Sequence, residues 1–176
     1  MVYHCVMGIK AWSPVEEDSA LLHKIYQRQS LSPVTCRWRA ITKMYSKFAF
    51  AEIVKERIQA SILRSITDIA HAAGVRPIKQ GFQSNVQADI IWLVTKAVEI
   101  DRVLSTEMTS EEFTVFVAPL GEAFDQGRME TVYREDTGWV LCTTDMGLCC
   151  RAANGEGTSV YQIVLKPKVV LDQAFI

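Results

Sequence analysis

Residues 84–104 constrain this chain more than any other stretch, because they form its densest apolar segment and yet carry charge throughout. At 100° per residue, the apolar side chains from Val86 to Leu104 cover about half the circumference of a helix, wider than the stripe of an ordinary surface helix. The reading is a central helix buried against several partners. Asp89, Lys96, Glu99, Asp101 and Arg102 interrupt the segment and exclude a membrane span. Ser84 and Gln87, three residues apart, form a capping box that sets the expected start.

A chain of 176 residues is long enough for one domain with a real core, and no linker divides it, so residues 1–176 are read as a single domain. Its 49% hydrophobic and 22% charged content is that of a globular protein, not a disordered one. A formal net charge of −1 argues against binding bulk polyanion over the whole surface, though not against a local patch. Five cysteines are an odd number, and residues 1–10 lack both the basic start and the long apolar run of a signal peptide. Both point to reduced thiols and an intracellular, cytoplasmic protein, with the nucleus left open.

Residues 1–12 are apolar, show no evident helical period and read as a short edge strand. Ser13 then supplies an N-cap, with Pro14 at the first helical position and Glu16 completing a capping box, for a helix ending near Gln29. Ser32-Pro33 starts the next. There Val34, Trp38, Ile41, Tyr45 and Phe48 make an apolar stripe, while Arg39, Lys43 and Lys47 make a basic one on the opposite side. Burying the first should turn the second to solvent. From Phe48 to Ala73 the helical pattern continues or restarts after a kink, with His71 in its last turn and Gly74 at the left-handed position beyond its end. After the central helix, Thr109 and Glu112 read as a capping box, flanked by Met108 and Phe113. Phe113, Phe116, Val117, Leu120 and Phe124 predict a fifth helix, kinked at Pro119 and stopping at Gly127.

Beyond Gly127 the texture becomes that of strands: residues 130–134, 139–143, 148–152 and 160–165. Turns at 136–138, 145–147 and 154–157 would join them in a meander, ended by Pro167, with residues 169–176 a short helix or an edge strand. The fold class is therefore α+β, a bundle of about five helices followed by an antiparallel meander.

Chemical motifs are few. A hairpin at 145–147 would set Cys142 across from Cys149 or Cys150, but a zinc site needs four ligands, and only His4 and Cys5 remain as candidates, so no metal is expected. Asp68 and His71 have the spacing of half a carboxylate-bridged di-metal motif, whose other half is missing; a histidine interacting with the helix C-terminus is the simpler reading. Asp101 falls in the apolar half of the central helix. A buried carboxylate there suits catalysis; pairing with a basic side chain of the long helix, or escape to solvent near the helix end, is the simpler reading. Residues 154–157 are glycine-rich but lack the following helix that would hold a phosphate. No cofactor is expected.

Charge is unevenly placed. Between Lys24 and Lys79, eleven basic residues face three acidic ones, for +8; between Asp89 and Asp136, eleven acidic residues face four basic ones, for −7. This reading leads to a non-enzymatic protein-interaction or self-assembly module with a basic helical face and an acidic counter-face. A nucleic-acid-binding protein contacting phosphates through Arg37, Arg39, Lys43 and Lys47 is the alternative, although Trp38, Tyr45 and Phe48 fall on the wrong side for base stacking. A small enzyme with its pocket between helices and sheet is the weaker third.

Overall fold

The computed structural model describes residues 1–29, 32–74, 80–133, 137–153 and 159–175. The expected turn at 154–157 and Pro77 lie outside them. The chain is α+β, with helices in the N-terminal part and mostly antiparallel strands after them.

Four of the expected helices are present, as α2 (Glu16–Gln27), α3 (Pro33–Ser46), α4 (Ala51–Ala72) and α5 (Gln80–Arg102). Ser32 caps α3 as its sequence indicates, its Oγ accepting from the Thr35 amide at 3.2 Å with Pro33 in the first turn. Gly74 closes α4 with a φ of 72°, a left-handed conformation that favours glycine. Ser13 does not cap α2; its Oγ accepts from the Val15 amide, making a turn two residues ahead of the helix. Ser84 does not start the central helix either, since α5 already runs from Gln80.

Two segments differ in type. Residues 1–12 do not make an edge strand: Val2–Lys10 is a helix, α1, that buries Cys5, Val6 and Ile9. These residues, with Val2, keep the three- and four-residue spacing of a helix. The helix expected at 109–127 is absent. Its first part is strand β1 (Glu112–Phe116), and the rest is irregular apart from an isolated bridge between Ala123 and Trp139. Pro119 cannot continue a helical ladder, the run from Phe113 to Val117 is rich in strand formers, and β4 offers an edge to pair with.

The expected meander is instead two three-stranded sheets, ordered β1-β4-β5 and β2-β6-β3. The strands are β2 (Glu130–Thr131), β3 (Val140–Asp145), β4 (Gly147–Ala153), β5 (Ser159–Leu165) and β6 (Lys168–Leu171), followed by a short helical turn, Asp172–Phe175. Consecutive strands β3 and β4 therefore do not form a hairpin; the chain changes sheets at Met146, and Cys142 pairs with Val170 rather than with Cys149 or Cys150. Gly147 makes this crossing possible, because a Cβ there would lie 2.7 Å from both Phe116 and Pro167. Strand β2 pairs with β6 in parallel, and β6 is central, not an edge.

Each sheet has its own core. Ile58 and Ile62 of α4, Ile90 and Val94 of α5, Val6 of α1 and Val115 of β1 form the larger one. Met129, Val140, Val169 and Leu171 form the smaller. Helix α1 lies against α4, α5 and β1, and its close approach to α4 depends on Gly8, where an added Cβ would sit 2.4 Å from Ile58 Cδ1. Gly8→Ala should therefore destabilise the protein by about 1 kcal/mol, the displacement of Ile58 outweighing the helix propensity that alanine gains. Denaturant titration measures this, and adding Ile58→Val should recover part of the loss.

Candidate functional site

Helix α3 lies largely the other way round from what its apolar stripe implies, although Trp38 and Phe48 of that stripe are half-buried. Val34, Ile41 and Tyr45 are 77%, 56% and 69% exposed, whereas Arg39, Lys43 and Lys47 are 3%, 7% and 1% exposed. Its inward residues are Thr35, Cys36, Arg39, Ala40, Lys43 and Lys47, again at helical spacing. Of the four cations expected on an outer face, only Arg37 is there.

The buried cations meet partners that an apolar face could not satisfy. Helix α1 ends at Lys10, leaving the carbonyls of its last turn without intrahelical donors. Lys47 Nζ donates to Gly8 O at 2.7 Å and Ile9 O at 3.0 Å, and also to Asp101 Oδ2. Lys43 Nζ donates to Ile9 O at 3.2 Å and Ser105 Oγ at 3.0 Å, and pairs with Asp101 Oδ1 at 3.5 Å. Ser105 in turn donates to Asp101 Oδ1 at 2.6 Å. Asp101 reaches this cluster because α5 buries Ile90, Val94, Ala97 and Asp101 in one stripe, at spacings of four, three and four. A π-helical turn, Val103–Glu107, continues the helix and brings Ser105 to the same side. Arg39 Nη2 bonds the carbonyls of Met108 and Glu111 at 2.8 and 3.2 Å, fixing the segment that leads into β1.

Asp101 thus pairs with basic side chains, as its place in the sequence suggests, but from α3 and not from the long helix α4. Burial lowers the Lys43 pKa, with Asp101 opposing the shift; the same balance brings Lys47 down to about 8. Among the described residues, three buried cations face one fully buried carboxylate.

Beside the cluster, Trp12 packs on Tyr26 and Trp38 at ring-centroid distances of 5.0 and 5.7 Å, and Lys43 Nζ lies 5.7 Å from the Trp12 ring centre. This aromatic group joins α2 to α3. A cavity of about 580 Å³ opens between these helices, α1 and β1, lined in part by Trp12, Tyr26, Arg39, Lys43, Ser105 and Val115. Sequence reasoning singled out Arg39, Lys43, Lys47 and Asp101 but missed Tyr26 and Ser105, which carry no local motif.

The other candidates stand apart. His4 is held by Ser61 Oγ at 3.0 Å and Ser65 Oγ at 2.9 Å, and Asp68 and His71 are exposed on α4. All five cysteines are free thiols. Among the described residues, no three His, Cys, Asp or Glu side chains converge on a point that could hold a metal, and no helix is long and apolar enough to cross a membrane. No known protein family, curated protein or solved structure matches the chain.

The cluster has a signature in pH. The folded-state pKa of Lys47 lies below its unfolded value, so between about 8 and 10.5 the unfolded chain holds more protons at this site. The Lys47 contribution to stability should therefore rise with pH across that window. Unfolding titrations from pH 8 to 10.5 on wild type and Lys47→Met check it: the stability difference should shift in favour of wild type as pH increases. A difference independent of pH would contradict the burial of Lys47.

Proposed function

We propose that the protein is a self-assembly module that pairs with a second copy of itself through the outward side of α3. The observation that carries this reading is the apolar stripe of Val34, Ile41 and Tyr45, left facing solvent because the basic side of the helix is held inside. Met44 adds to it. At the C-terminal end of the same helix, Ser46 borders an apolar groove of about 480 Å³ in which Val15, Leu21, Phe50 and Ile53 are also exposed. A ridge on the helix and a groove at its C-terminal end suit a two-fold arrangement in which each copy offers both.

The counterpart of this apolar face is another apolar face, not the acidic segment of the chain. Phosphate binding through α3 gains no support, because three of its four residues are bonded inside.

The test is association. Wild type at tens of micromolar should sediment as a dimer. Replacing Val34, Ile41 and Tyr45 together by Glu should give a folded monomer whose circular dichroism is unchanged, since solvent-exposed positions tolerate polar residues. Reversing Arg39, Lys43 and Lys47 to Glu should instead unfold the chain. A wild-type protein that remains monomeric overturns the reading.

A further inference from the structure

We infer that His4 and Ser61 form a base–nucleophile pair that hydrolyses short-chain aryl esters. Gly8 lets α1 lie close against α4, and His4, one turn earlier on α1, then meets two serines one turn apart on α4. The ring Nδ1 is 3.0 Å from Ser61 Oγ, and Nε2 is 2.9 Å from Ser65 Oγ. A hydroxyl within hydrogen-bond reach of an imidazole whose other nitrogen is held in place is the signature of an activated nucleophile. These hydroxyls are also turned unusually. Helical serines and threonines often bond the carbonyl four residues back, as Thr67 and Thr95 do, whereas Ser61 and Ser65 direct theirs to His4.

The roles follow from the surroundings. A neutral imidazole has one N–H donor and one acceptor nitrogen. With its proton on Nε2, His4 donates to Ser65 and leaves Nδ1 to accept from Ser61. Burial lowers the His4 pKa, so the ring is uncharged at neutral pH and ready to take a proton. Ser61, not Ser65, lines a pocket of about 210 Å³ between α1 and α4, whose walls include Met7, Ala11, Val54 and Ile58. Such walls suit a short apolar acyl chain. Arg57, one turn before Ser61 on α4, lines the same pocket. Its Nη1 donates to Pro14 O, and the guanidinium carries further N–H groups to meet an oxyanion.

The reaction balances on these groups. Ser61 Oγ bonds to the ester carbonyl carbon as its proton passes to Nδ1, and the carbonyl oxygen becomes the oxyanion. The bond to the aryl oxygen then breaks, and the phenol leaves with the proton from Nδ1. Water attacks the acyl-Ser61 carbonyl and gives a proton to Nδ1; Ser61 recovers that proton as the carboxylic acid departs. Behind the imidazole stands a hydroxyl, not a carboxylate, so the imidazolium gains less stabilisation than in a full triad. This restricts the pair to good leaving groups, hence aryl esters. The site uses α1 and α4 and is independent of the outward side of α3.

Hydrolysis of p-nitrophenyl butyrate by the full chain tests the inference, together with labelling by diisopropyl fluorophosphate read by mass spectrometry. Wild type should show saturable turnover and take up a single label, on Ser61. Ser61→Ala and His4→Gln should each lower kcat/KM by about 100-fold or more, the usual contribution of a general base, with circular dichroism unchanged. Ser65→Ala should lower kcat at constant KM, and Ser65→Thr, which keeps the hydroxyl, should restore it. Turnover no faster than that of free imidazole at equal concentration, a rate unchanged in Ser61→Ala, or label on another residue would each overturn the assignment.

Discussion

The structure depends on one buried cluster, in which Asp101 of α5 holds two ammonium groups, from α3 and its C-cap, that also donate to carbonyls in the last turn of α1. Three helices that are separate in sequence meet at these few polar atoms. An ion pair removed from water gains little over well-packed apolar groups, yet breaking it leaves an uncompensated buried charge. The cluster ties the rotation of α3 to the position of the α1 end, because both supply partners to the same ammonium groups.

That rotation has two consequences on opposite sides of the helix. Inward, it places Arg39 and Lys43 on a cavity whose apolar walls come from Trp12, Phe113 and Val115. Outward, it leaves Val34, Ile41 and Tyr45 in water, beside a second apolar groove. Exposed apolar residues are ordinary when scattered; a periodic stripe with an adjoining groove is the pattern of an interface. Both the inward cavity and the outward stripe thus follow from one orientation of the helix.

How much of this was legible in the sequence varied with the range of the forces involved. Helices α3 and α4 were readable because local groups define their ends: the Ser32 hydroxyl on one and Gly74 with positive φ on the other. The α5 stripe of Ile90, Val94, Ala97 and Asp101 was readable too, although Ile91, Trp92 and Ile100 face outward and the helix is less enclosed than its composition suggests. Strand β1 was misread as helix because Phe113, Phe116 and Leu120 also satisfy helical spacing, and only its pairing with β4 decides the matter. The two-sheet arrangement was not legible, since the crossing at Met146 depends on Gly147 packing between Phe116 and Pro167, residues distant in sequence.

The orientation of α3 was the most instructive error. Its stripes of Val34, Ile41, Tyr45 and of Arg39, Lys43, Lys47 are both regular, and hydrophobicity alone selects the first for burial. What reverses the choice is a carboxylate at position 101 and two helix-end carbonyls, none adjacent to α3 in sequence. Asp101 stands out in the sequence as an acid in an apolar stripe, but its partners lie on a helix whose pattern points them the other way. The most direct test is a thermodynamic cycle of Lys47→Met, Asp101→Leu and the double variant, each measured by denaturant unfolding. If the cluster fixes the fold, Asp101→Leu, which strands two ammonium groups, costs about 3–5 kcal/mol, Lys47→Met, which leaves Asp101 with Lys43 and Ser105, costs less, and the double costs less than their sum by at least about 1 kcal/mol. Costs that add within about 0.5 kcal/mol would show that Lys47 and Asp101 do not meet, and would contradict the account.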